Sequence, residues 1–412
     1  MSVDLRTRVD GEDVAIAAHA FFSEQLPAAL EETRELLAPG AARLGLRPFT
    51  VETEGESWSL LWEDGALAVR PGSVRGGAHL RLPDGELAQI VNDQRTPMTY
   101  FTSGELDMPS GGLPDFLNWW LVLRGAIDGR PLHTPGAVTF AEREGAPLDL
   151  KRSFRLDGPI EEMSHFLHEA GFLHIEGVFS EAWMKRISDD MDRAAPGYSD
   201  GDGRSWWATT ADGARRLVRM QSFDKESAAA AELLRDENFL GLGAISGDGH
   251  RHAGLEGNRI EALVKPIGVV KGISDVPWHK DCSLGRHSYE CCSMTCGISV
   301  TGADATSGQL RVVAGSHRAL MWPALIQRGS HDLPEIHLPT RTGDVTLHLS
   351  CTLHMAQPPV KRERRVMYTG FRLPFGASPA RARARAKLRA VREGAYTTVS
   401  QEAANPAEEP DR

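Results

Sequence analysis

Cysteine is scarce in this chain: there are five in 412 residues, and all of them fall between positions 282 and 351. An odd, clustered set excludes the disulfide framework of a small secreted protein. The spacing of Cys282, Cys291, Cys292, Cys296 and Cys351 matches no zinc-site pattern, so buried apolar thiols on strands are expected. Lysine is rare, and arginine supplies most of the 46 basic residues. That bias reflects coding composition rather than function. The net charge of −10 argues against non-specific binding to nucleic acid or acidic membranes. No apolar run approaches the roughly 20 residues that cross a bilayer. The opening residues Met1 to Arg8 lack a basic-then-apolar leader pattern, and a cytoplasmic location is expected.

What is present is a chain of ordinary globular composition, 41% hydrophobic and 25% charged, long enough for two domains. The expected class is α+β. Residues 13–37 carry apolar positions at helical spacing, among them Val14, Phe21, Phe22, Leu26 and Leu30. Short strands follow at Phe49–Thr53, Ser57–Trp62, Ala66–Arg70 and Ala78–Leu82. Glu63-Asp64-Gly65 makes the hairpin turn between the second and third. A helix runs to Val91, a strand is read at Gly104–Asp107, and an apolar helix spans 114–127 with Trp119 and Trp120. This order resembles the sterol-carrier family of small lipid-binding domains between about Trp58 and Gly125. The resemblance implies an apolar tunnel between sheet and helices. The alternative is a packed core that supports the rest of the chain or a homo-oligomer. The domain is read as 1–140.

Residues 129–152, with Pro131, Pro135 and Pro147, read as a linker. A helix from Ile160 ends at Gly171, Phe172–Ile175 is a strand, and Ser180 caps a second helix to about Arg193. His165, His168 and His174 pair with no carboxylate at ligand spacing and are read as surface or core residues. Residues 196–214, rich in Gly, Asp and Ser, read as a mobile loop near a substrate entrance. Asp200-Gly201-Asp202-Gly203 lacks the later glutamate of a calcium loop. From about 262 short strands dominate, which indicates a double-sheet jelly roll over 150–378. Residues 379–412 read as an Arg/Ala helix and a disordered tail.

The chemistry lies in Trp278-His279-Lys280-Asp281 and Thr352-Leu353-His354-Met355. A His-x-Asp pair with a later His is the ligand set of a facial triad for non-haem Fe(II), which leaves positions open for O₂ and a co-substrate. Two residues apart on a strand, His279 and Asp281 would share a face. His354 arrives from a distant strand. His348 has the parity of His354 but lies close to the Gly343-Asp344 turn, so an outer or core role is expected for it. His317 is expected to stabilise the turn after Gly315.

These residues resemble the phytanoyl-CoA hydroxylase family of Fe(II)/2-oxoglutarate dioxygenases. The resemblance runs over 155–375, through Gly171-Phe172, Trp278–Asp281, Gly308–His317, Gly343 to His354, and Arg365. It implies a double-stranded β-helix with flanking helices, catalytic and metal-binding roles for His279, Asp281 and His354, and Fe(II), 2-oxoglutarate and O₂ as cofactor and co-substrates. A guanidinium suits the distal carboxylate of the keto acid. Arg365 is preferred, since Arg364 would point the other way, and Arg219 is a second candidate. Halogenating relatives carry a small residue where this chain has Asp281, which disfavours halogenation. Hydroxylation of a small or lipophilic metabolite is the expected outcome. Desaturation, epimerisation and ring closure by the same site stay open, as does a catalytically silent lipid carrier. An enzyme that does without 2-oxoglutarate is disfavoured by Arg365.

Overall fold

The structure is a computed structural model that describes residues 15–252, 259–272, 276–282, 291–324 and 331–373. The helix and tail expected beyond 378 lie outside these residues. Strands β1 (Phe49–Thr53), β2 (Glu56–Glu63), β3 (Ala66–Pro71), β4 (Ala78–Arg81) and β5 (Asp107–Ser110) form one sheet in the order β3-β2-β1-β4-β5. Neighbours are antiparallel except β1 and β4. The β2–β3 turn places Asp64 and Gly65 at positive φ, 51° and 76°, as a tight hairpin of right-handed twist demands.

Helices cover this sheet. The first segment is helical from Ala18 to Ala41 but is interrupted at Thr33, and Phe21–Gln25 is π-wound. The Leu113–Asp128 helix buries Phe116, Leu117, Trp119 and Trp120. Where the lipid-carrier resemblance calls for a tunnel between sheet and helices, aromatic rings fill the space. Phe22 stacks on Trp58 at 5.9 Å, and Phe49 stacks on Phe116 and Trp119 at 6.0 and 6.4 Å. The Pro97–Ser103 helix, which the sequence reading missed, is followed by β5, three residues later than expected.

Residues 129–159 carry only isolated bridges, as a connector would. The second half then builds two facing sheets. Its strands are β6 (Phe172–Ile175), β7 (Ser205–Thr210), β8 (Arg215–Met220), β9 (Arg251–His252), β10 (Glu261–Lys265), β11 (Val269–Lys271), β12 (Ser293–Ser299), β13 (Leu310–Val313), β14 (Glu335–Leu338), β15 (Val345–Leu349), β16 (His354–Ala356) and β17 (Arg364–Arg372). The larger sheet runs β11-β7-β8-β10-β17-β12-β15-β6, with β9 against β17, and the smaller runs β14-β13-β16. Ile298, Val345 and Met367 from one sheet share a core with Leu310, Val312 and Leu338 from the other. This is the arrangement expected of a jelly roll.

Residues 205–210, expected to be part of a mobile loop, are instead a strand. Trp206 and Trp207 pair with Arg219 and Leu217 across the β7–β8 hairpin, so the Gly/Asp composition marks only its ends. Gly171 ends the Ile160–Ala170 helix at φ 86°. A Cβ there would come within 2.4 Å of His317 Nδ1 and 2.5 Å of Thr352 Oγ1, so only glycine lets β6 start against these residues.

The two halves are packed together. Leu132 bridges Leu320, and Leu320 lies in the core of the N-terminal half. Ala324 packs with Met98, Leu113 and Leu117, and Trp322 Nε1 donates to Asn118 Oδ1 at 2.8 Å. The segment 320–324 is thus held by the N-terminal helices. Among the described residues, no helix is long and apolar enough to cross a membrane.

Candidate metal centre

His279, Asp281 and His354 meet, each offering one ligand atom within 4.8 Å of the others. His354 opens β16, whose next neighbour is β13, with Val312 opposite His354. His279 sits in no regular strand. It bridges His354 on one side and Ala324 on the other, and Asp281 follows through a turn rather than along a pleat. The shared-face argument therefore reached the right grouping by a geometry that the backbone does not adopt.

Hydrogen bonds fix both imidazoles. His279 Nδ1 lies 2.7 Å from Pro277 O and His354 Nδ1 lies 2.9 Å from Thr352 O. A carbonyl only accepts, so each Nδ1 carries a proton, and each Nε2 is the ring atom left to face Asp281 or a metal. Both Nε2 atoms face Asp281 Oδ1, at 3.2 and 3.8 Å. Burial drives the His354 imidazole well below the ordinary histidine range, helped by the neighbouring His348 and His279, so it is held neutral. Burial alone would raise the Asp281 carboxyl. The surrounding His354, His279 and His348 outweigh it and keep Asp281 ionised, well below the usual carboxylate range. The Asp281 side chain keeps 31% exposure against 9% for His354, so the open face of the group is on the carboxylate side.

Two further groups complete this end, and the sequence reading missed one of them. Thr295 Oγ1 donates to Asp281 Oδ2 at 2.9 Å. His348, opposite Thr295 across β12–β15, lies 3.8 Å from Asp281 Oδ2 and ring-to-ring 4.1 Å from His354. The alternation of β12 was the available signal: Thr295, Gly297 and Ser299 share one face.

That face leads away from the triad into a pocket lined by Gly297, Ser299, Ala303, Leu310, Leu338, Thr340, Thr346, Arg364, Val366 and Tyr368. Arg364 is buried in it. Its Nη1 donates to Gly308 O and its Nη2 to Tyr368 Oη at 3.2 Å, while its Nε has no partner among the described residues. Gly297 holds the pocket open: a Cβ there would come within 2.8 Å of Thr346 Oγ1 and 3.0 Å of Tyr368 Cε1.

Arg365 is not part of this group. It points from the opposite face of β17 to the Glu181–Ala194 helix, where Nη1 and Nη2 clasp Asp192 at 2.9 and 2.8 Å and Nη1 also reaches Ser188. The bond to Asp192 raises the guanidinium further and lowers the carboxyl. The parity argument was sound, but its direction was inverted, because β17 presents Arg364, Val366 and Tyr368 inward. Arg219 lies on β8 with its guanidinium 3.8 Å over Trp206 and its Nε 3.2 Å from Glu261, away from the triad residues. His174 pairs with Asp344 at 2.9 Å, and His317 donates from Nε2 to His168 O at 2.8 Å, bracing the turn.

Residues 167–366 match the phytanoyl-CoA dioxygenase (PhyH) family. The match spans a little under half of the chain, and the triad, Arg364 and Arg365 all fall within it. The match leaves the N-terminal half uncovered, and nothing supports its likeness to lipid carriers. Among solved structures, the epimerase SnoN in complex with Fe3+, alpha ketoglutarate and nogalamycin RO is 16% identical with a TM-score of 0.41, over 52% of this chain and 83% of that one. AviO1 from Streptomyces viridochromogenes Tue57 is 20% identical, TM-score 0.41, over 53% and 96%. The carbocyclase SnoK from nogalamycin biosynthesis is 18% identical, TM-score 0.41, over 56% and 93%. No curated protein matches the chain.

Proposed function

We propose that this chain is an Fe(II)- and 2-oxoglutarate-dependent oxygenase that hydroxylates a small or lipophilic metabolite. One observation carries the reading: the face of β12 that meets the His-Asp-His set at Thr295 continues through Gly297 and Ser299 into a pocket that holds a buried arginine, Arg364. The donor set suits Fe(II), with two imidazole lone pairs and one carboxylate on a single side. The pocket suits a keto acid, because Gly297 leaves the space and Arg364 supplies a buried cation with a spare donor. When bound, Fe(II) and 2-oxoglutarate activate O₂ for attack on a C–H bond, with succinate and CO₂ released.

The residues of this chain then have separate tasks. His279, Asp281 and His354 hold the metal. Thr295 and His348 orient the Asp281 carboxylate. Arg364, rather than Arg365 or Arg219, takes the distal carboxylate of the keto acid, and Leu310, Leu338 and Val366 keep water from its chain. Asp192 and Arg365 tie the outer helix to the barrel. The N-terminal half serves as support, gripping the segment that pairs with His279. A screen of metabolites for succinate release above the substrate-free rate tests the activity. Release that stays at background with iron and 2-oxoglutarate both bound would contradict it.

A further inference from the structure

Three of the five cysteines meet beside the triad. The Sγ atoms of Cys282, Cys291 and Cys351 lie within 4.8 Å of one another, with Cys282 and Cys291 3.2 Å apart. Cys291 and Cys351 are buried and Cys282 is half-buried, so the group is reachable from one side. All five cysteines are reduced in the structure. We propose that Cys282, Cys291 and Cys351 form a second metal site, one for a soft d10 cation of the Zn²⁺ or Cu⁺ class.

Three thiolates about 2.3 Å from one ion sit a little under 4 Å apart. The Cys282–Cys291 pair, at 3.2 Å, is closer than that, so binding an ion moves these two sulfurs apart by about 0.6–0.8 Å. Sulfur donors select soft ions, while the imidazole–carboxylate set next door shares no ligand with them. Binding releases one proton per thiol, so the ion replaces three protons and leaves a net anionic site. A countercharge is built in. Lys280 is fully buried, its Nζ donates to Ser316 O at 2.7 Å, and its charge acts on all three sulfurs.

The site communicates with the triad by two routes. Cys282 is the chain neighbour of Asp281 and donates its backbone N–H to Ser350 O at 3.2 Å. A hydroxyl chain also runs from the thiols through Ser293, Ser350 and Thr295 to Asp281, with contacts of 3.9, 2.9, 3.3 and 2.9 Å. Occupation of the thiols therefore bears on the Asp281 carboxylate.

Cadmium is the probe. The reduced full-length chain and its His354→Ala variant are titrated with Cd²⁺, reading the ultraviolet thiolate-to-cadmium charge-transfer band and the bound stoichiometry. Both are expected to show the band at one ion per thiol cluster. Cys351→Ser should weaken that ion by more than about a hundredfold, beyond what outer-shell changes cost. Cys282→Ser, at a half-exposed position, should do the same and serves if Cys351→Ser does not fold. Absence of the band, or a band that survives in both variants, overturns the site. So does a Cys282–Cys291 disulfide found on thiol counting of the unfolded native chain, which would make the pair a redox couple.

Discussion

His279 and His354 exchange two backbone hydrogen bonds, N–H to O distances of 3.1 and 3.0 Å, and their rings lie 4.3 Å apart. This closed pair fixes the two imidazoles before any metal binds. The third group, Asp281, is placed by a turn and depends more on side-chain partners. Those partners are where a mild substitution should be felt.

Thr295→Val is expected to weaken Fe(II) binding by roughly ten- to a hundredfold while leaving the fold intact, since it removes the donor to Asp281 Oδ2. His279→Ala, Asp281→Ala and His354→Ala should each lose more. Iron stoichiometry at equal free Fe(II) checks both statements. Full loading of Thr295→Val at wild-type affinity would show that the hydrogen bond does not set the carboxylate.

The triad was legible because its residues are rare, chemically specific and ordered along the chain. The barrel was legible because its strands are short and alternate. That Arg364 lines the pocket and Arg365 the outer face was not legible, because parity says that two neighbours point apart, not which one points in. Only the β12–β17 register, with Gly297 opposite Tyr368, decides that. The thiol cluster was invisible because Cys351 is brought to Cys282 by the fold and not by spacing. The strand at 205–210 was hidden because its flanking Gly and Asp residues dominate the local composition. Independence of the two halves was a natural reading of the Pro-rich connector, and the Asn118–Trp322 and Leu132–Leu320 contacts that join them were invisible in the sequence.

The support reading predicts that the N-terminal half matters for iron. The Lys280 backbone N–H donates to Pro323 O at 2.8 Å, next to Trp322 and Ala324, which the N-terminal helices hold. A chain starting at Lys151 keeps the triad and Arg364 but loses the helices that hold 320–324, and it is expected to bind Fe(II) more weakly or to lose solubility. Trp322→Phe, which deletes the bond to Asn118 and trims a packed ring, should lower iron affinity at least a few-fold, as loss of one neutral hydrogen bond of about 1 kcal/mol implies. Wild-type iron affinity in both proteins would restore the independent reading.

His317 predicts a pH dependence of stability. Burial depresses its imidazole to about 3, while in the unfolded chain it titrates near the ordinary 6.5. Between these values the unfolded state holds the extra proton, so stability falls as pH drops below 6.5 and stops falling near 3. The limiting slope from this one group is about 1.4 kcal/mol per pH unit. His317→Gln keeps a donor for His168 O but does not titrate, and its denaturant midpoint should fall less steeply over the same range. Parallel curves for the two proteins would remove His317 as the cause.

The central claim is that the triad and Arg364 together hold Fe(II) and a keto acid. Anaerobic addition of 2-oxoglutarate to the Fe(II)-loaded chain, followed by the visible metal-to-ligand charge-transfer absorption, tests it most directly. The account predicts a saturable band in the wild type and in Arg365→Ala. In Arg364→Ala the dissociation constant should rise roughly ten- to a hundredfold, the equivalent of about 1.5–3 kcal/mol for one charge-assisted contact. No band with iron bound, or an Arg364→Ala titration that overlays the wild type, would contradict it.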